Sequence, residues 1–168
     1  MLKFTIPKIK EDVVPKETYN EDELRKLLKK PQIGLCSFVE YKTYVLTCFL
    51  IATGQRLGAT ISLKKSDINF SNNTITFKRT KNRNSHSINI PKSLKPILIE
   101  YLTFLPDDIE WLFPNAYGQK AKLKTIQENL LTYNRSKGVD KTSAHLYRHT
   151  FAKTWIQNGY NQLELMRI

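Results

Sequence analysis

The chain has 168 residues, 40% of them hydrophobic and 25% charged, which is the mixture of one globular domain and excludes collagen-like, mucin-like and disordered compositions. Lysine and arginine number 27 against 15 aspartates and glutamates, a formal net charge of +12, and so strong a bias points to a polyanionic partner. The most apolar run, Tyr44 to Thr53, is about half of the ~20 residues that a membrane span needs, and the first residues hold no apolar signal core, so a cytoplasmic protein is expected.

In chain order, residues 1–18 mix Lys, Pro and acidic residues without helical periodicity and read as an extended lead-in or linker. Asn20 can cap a helix over residues 21–30, acidic in its first turn, basic in its last and stopped by Pro31. A dense apolar run predicts a central helix from Phe38 to Thr53, ended by Gly54, with a short helix over Leu57 to Leu63 behind it. Cys36 and Cys48 have no CxxC or Cys/His spacing and read as small core residues, so neither a metal nor another cofactor is expected. Residues 67–70, 74–79 and 86–90 alternate apolar and polar side chains and predict a small antiparallel sheet, closed by Pro91. Helices are expected over 93–105, 122–137 and 143–158, with Gly138 and Gly159 as stops and a last helix opening at Asn161. The fold class is α+β, mainly helical, with one three-stranded antiparallel sheet.

Basic charge gathers twice. Lys78, Arg79, Lys81, Arg83, Lys92 and Lys95 face only Glu100 between residues 71 and 100, and a second group runs from Lys120 to Lys141. Either segment is suited to lie on a phosphate backbone, and either is also what a solvated surface looks like.

The stretch His145-Leu146-Tyr147-Arg148-His149 is the most informative. His145 and Arg148 are three apart and share a helix face, while Tyr147, Phe151 and Trp155 form a neighbouring aromatic stripe for burial. A second arginine, Arg56, follows the end of the most buried helix in Thr53-Gly54-Gln55-Arg56, where a loop residue stands on rigid support. Asp107, Asp108 and Glu110 read as a polar loop rather than a carboxylate metal cluster.

With TGQRLGATISLKKSDI around Arg56, TFKRTKNRNSHSINIP around Lys81 and HLYRHTFAKTWIQNGY around His145 and Arg148, the chain resembles the catalytic domain of the tyrosine recombinases, the phage integrase family, over roughly residues 15–168. The resemblance implies that residues 19–168 form that domain. It implies that Arg56 and Arg148 grip the non-bridging oxygens of a scissile DNA phosphate, that Lys81 protonates the leaving 5′ oxygen and that His145 assists proton transfer. Guanidinium forks suit a phosphoryl transition state, whose charge spreads over equatorial oxygens, without any metal. Lys81 is favoured over Lys78, because alternation puts Ile75, Phe77 and Arg79 on one face and leaves Lys81 in the turn; both remain open. His149 is expected to be a buried, hydrogen-bonded neighbour. Double-stranded DNA carrying a recombination site is the implied partner, with self-association on it.

Two features depart from the family. Ala59 stands where an acidic residue usually follows the first arginine, and the chain reaches Ile168 before a Leu-Gly-His motif or the nucleophilic tyrosine of the family. None of the eight tyrosines fits that role by motif. The expectation is a catalytic-domain fragment of a DNA strand-breaking and rejoining enzyme, inactive alone; the alternative is a non-catalytic DNA-binding module.

Overall fold

A computed structural model describes residues 17–78 and 85–159. The expected linker up to residue 16, the hairpin residues 79–84 and the expected helix from Asn161 lie outside these. Six helices are described: α1 (Glu21–Leu27), α2 (Phe38–Thr53), α3 (Leu57–Thr60), α4 (Leu94–Leu102), α5 (Leu123–Ser136) and α6 (Ala144–Gln157). Between α3 and α4 lie a 3₁₀ turn (Lys65–Asp67) and the strands β1 (Ile68–Asn69), β2 (Thr74–Phe77) and β3 (His86–Asn89).

The bundle is built around α2. Every residue from Tyr41 to Leu50 is buried, because α4, α5 and α6 all pack on it; a helix covered on all sides carries apolar residues all round rather than in a stripe. Lys42 is buried with them: its Nζ donates to the Pro114 carbonyl at 2.5 Å, and burial holds its pKa below the ordinary lysine value. Ser37 caps the start of α2, and Gly54, at φ +62°, ends it in the left-handed conformation that the sequence suggested.

The sheet has the order β1-β2-β3, antiparallel throughout, with Ile68 opposite Ile75 and Phe77 opposite His86. Ile75 and Phe77 point into the core as alternation requires, and Lys78 is exposed; Arg79 falls outside the described residues. β1 is shorter than expected because its first predicted residue, Asp67, is drawn into the 3₁₀ turn, where its carboxylate accepts from the Lys64 backbone N–H at 2.9 Å.

Other boundaries shift for local reasons. The Asn20 cap forms a full capping box with Glu23, yet α1 ends at Leu27 rather than residue 30. There the chain turns so that Pro31 is buried and Lys30 reaches the Glu100 carboxylate at 2.7 Å. α4 stops at Leu102, where Thr103 folds its hydroxyl back onto the Glu100 carbonyl. α3 keeps one turn of its expected length. Cys48 is buried and Cys36 half-buried, and both are free thiols. Among the described residues no helix is long and apolar enough to cross a membrane.

Candidate active site

Arg56, His145 and Arg148, separated by up to 92 positions in the sequence, line a single cleft of about 200 Å³. Its other walls are Gln55, Leu57 and Gly58 beside Arg56, Leu123 and Gln127 of α5, and Ala144 of α6. A second hollow of about 160 Å³ adjoins it and shares Gln127, Ala144 and His145.

Each side chain is placed by the end of a helix. Arg56 is exposed and occupies the N-cap position of α3, three residues beyond the end of α2. His145 is exposed in the first turn of α6, where its backbone N–H donates to the capping Ser143 hydroxyl at 3.3 Å. Arg148 is half-buried one turn further on, and its Nη1 donates to the Gly54 carbonyl at 2.7 Å. The final turn of α2 thus holds one arginine by chain connection and the other by a charge-assisted hydrogen bond.

The backbone adds to the positive field. The first turns of α5 (Leu123) and α6 (Ala144, His145) both line the cleft, and a helix N-terminus carries the positive end of its dipole. No carboxylate pairs with Arg56 among the described residues, in keeping with Ala59 one turn away. Two guanidinium groups, an imidazole and two helix N-termini make a compact site for a tetrahedral anion.

A match to the model of the phage integrase family covers residues 17–168. The chain belongs to that family. In this integrase-family chain, 30% of residues are identical to the tyrosine recombinase XerA of Pyrococcus furiosus over 156 residues, covering 91% of the chain and 52% of that protein. The crystal structure of XerA recombinase superposes with a TM-score of 0.73 at 23% identity, covering 94% of this chain and 54% of that one. The XerH site-specific recombinase bound to difH substrate, in its pre-cleavage complex, gives 0.70 at 22% identity over 89% and 45%. The chain therefore has the family's catalytic-domain fold and spans about half the length of the curated relatives it matches.

Of the residues expected from the sequence, Lys81 lies outside the described ones. Lys78 is described: its Nζ pairs with the buried carboxylate of Asp67 at 2.8 Å, at the root of the hairpin. His149 is half-buried, with its ring 6.4 Å from that of His145. Asp107 and Asp108 stand in an exposed turn, and among the described residues no three His, Cys, Asp or Glu side chains converge as a metal site.

The tyrosines sort by burial. Tyr19, Tyr41, Tyr44, Tyr101, Tyr133 and Tyr147 are all in the core. Burial raises their pKa values, that of Tyr41 to about 12, so none offers an accessible phenolate. Tyr117 is 86% exposed on the turn before α5 but does not line the cleft, and Tyr160 is outside the described residues.

The second basic segment divides in two. Lys137 pairs with Glu40 at 3.2 Å and Lys141 with Glu23 at 3.2 Å, whereas Lys122 and Lys124 are exposed at the start of α5, either side in sequence of the cleft residue Leu123. Gln55 was missed in the sequence. The one signal for it was a polar residue between Gly54 and Arg56, where an apolar one would pack as well.

Proposed function

We propose that the protein breaks and rejoins DNA at specific sites by metal-independent phosphoryl transfer, with residues 19–168 as its catalytic domain and residues 1–18 as the lead-in. The observation that carries this reading is the convergence of Arg56, His145 and Arg148 on one cleft. Arg56 and Arg148 hold the non-bridging oxygens of the scissile phosphate, whose charge grows towards the transition state. Lys81, favoured over Lys78 because the latter is tied to Asp67, protonates the leaving 5′ oxygen. The nucleophile is a tyrosine of the full-length protein, since none of the eight in this chain fits that role by motif. Its oxygen bonds to phosphorus as the P–O5′ bond breaks, with His145 assisting transfer of the tyrosyl proton, and the 3′-phosphotyrosyl intermediate is resolved when a 5′ hydroxyl attacks in reverse. The substrate is double-stranded DNA. Exchange between two sites requires more than one protomer on it, and such chemistry places the protein in the cytoplasm.

By itself the 168-residue chain binds DNA without cleaving it. A second reading, a non-catalytic DNA-binding module, draws support from Ala59, which leaves Arg56 without a carboxylate to orient it. A nicked suicide duplex carrying the recognition site separates the two: the full-length protein traps a covalent protein–DNA adduct under the first reading and none under the second. Binding of the 168-residue chain in a salt series tests both, because log affinity should fall with log salt by about 0.9 per phosphate contacted. A flat response would remove DNA as the partner.

A further inference from the structure

Among the described residues, Gln55 is the one that lines the cleft with a buried polar atom lacking a partner. Its side chain is 3% exposed, and its Nε2 is enclosed and makes no hydrogen bond among the described residues. It forms the wall of the cleft between Gly54, whose carbonyl holds Arg148, and Arg56 itself. A buried amide left unpaired weakens the fold, and native chains almost always pair such groups. Methionine or leucine would fill the same space without that cost. The free protein therefore gains nothing visible from a donor at this position.

We propose that Gln55 is a phosphate-binding residue of the cleft: its side-chain amide donates to a non-bridging oxygen of the DNA phosphate held by Arg56 and Arg148. The assignment rests on the reading of the cleft as a phosphate site. In the bound state the amide turns about its soft terminal torsion and gives an otherwise unpaired N–H to a charged acceptor, in a site shielded from water where such a bond is strongest. Because the donor is neutral, it strengthens binding without releasing a counterion. That separates it from every lysine and arginine nearby.

The test uses the 168-residue chain and a 20-base-pair duplex of arbitrary sequence, followed by fluorescence anisotropy across a salt series. Gln55→Met should bind roughly 10-fold more weakly, as expected for one hydrogen bond to a charged group. Its line of log affinity against log salt should run parallel to that of the unmodified chain. Arg148→Ala should flatten its line by about 0.9. The melting temperature of Gln55→Met should stay level or rise, since an unpaired donor has been removed. In ¹H–¹⁵N spectra of the unmodified chain, the Gln55 amide pair, identified by its absence in Gln55→Glu, should move as the duplex is added.

Unchanged affinity in Gln55→Met beside a weakened Arg148→Ala would overturn the role of Gln55 and leave the phosphate cleft standing. Unchanged affinity in both would overturn the cleft and this proposal together. A lower melting temperature with a stationary amide pair would make Gln55 a packing residue and also overturn the proposal. Should Gln55→Met fail to fold, the amide pair of the unmodified chain decides: stationary at saturating duplex, it refutes the assignment.

Discussion

At Gly54 the backbone sits at φ +62°, and a Cβ added there would overlap the Phe151 ring, while the carbonyl accepts from Arg148 at 2.7 Å. One glycine thus ends α2, admits α6 and orients an arginine. Gly54→Ala combines left-handed strain of about 1 kcal/mol with overpacking of about 1–3 kcal/mol, and urea denaturation should show a loss of roughly 2–4 kcal/mol. Shortening the ring in Gly54→Ala/Phe151→Leu should recover part of that loss; a fully additive double variant would mean that the ring is not the obstacle. Cys48 makes a separate test. Burial raises its thiol from 9.0 to about 12, so the unfolded chain releases this proton at lower pH than the folded one. Its contribution to stability is whole below pH 9 and disappears as pH climbs towards 12, and the buried tyrosines act in the same sense. Denaturation midpoints should fall steadily above pH 9. A thiol reagent at neutral pH should modify the half-buried Cys36 well before Cys48.

Between elements, polar contacts fix what apolar packing leaves free to slide. Asn134 of α5, wholly buried, donates to Tyr19 OH and to the Lys141 carbonyl at 3.0 Å each, and accepts from Tyr147 OH of α6 at 2.9 Å. Tyr19 N–H in turn donates to the Thr150 hydroxyl at 2.9 Å. This network sets the rotation of α6 about its axis and hence the aim of His145 and Arg148. Asn134→Ala takes the acceptor from the Tyr147 hydroxyl, while the Tyr19 hydroxyl still donates to the Lys141 carbonyl at 3.2 Å, and should cost about 1–3 kcal/mol in denaturant melts. DNA affinity should fall in the variant even where it is fully folded, because Arg148 is misdirected. At the sheet, Asp67 binds the Lys64 backbone N–H and the Lys78 ammonium through different oxygens, which anchors β2 just before the residues that carry Lys81. Asp67→Asn retains one acceptor and should lose about 1 kcal/mol, whereas Asp67→Ala should lose more.

Across the whole molecule, the +12 charge is distributed unevenly. Lys30, Lys64, Lys137 and Lys141 are paired with carboxylates, whereas Arg56 is unpaired among the described residues and Lys122 and Lys124 are exposed either side in sequence of the cleft residue Leu123. Binding to DNA should therefore depend on position rather than on net charge. Lys137→Ala should leave both affinity and salt slope nearly unchanged, while Lys122→Ala and Lys124→Ala should each flatten the slope by about 0.9. Equal effects at all three positions would point to charge alone.

The sequence by itself determined the element order, the central helix and the left-handed stop at Gly54, because periodicity, caps and glycine act over a few residues. It also named Arg56, His145 and Arg148, through short motifs that survive in one dimension. Tertiary structure decided what depends on distant partners. Lys30 and Glu100 meet where α1 ends early, Asp67 leaves the strand to bind Lys64 and Lys78, and two of the six basic residues of the second segment turn to carboxylates. Gln55 was invisible for the same reason: an unpaired donor exists only once the chain has closed around it and every neighbour is accounted for.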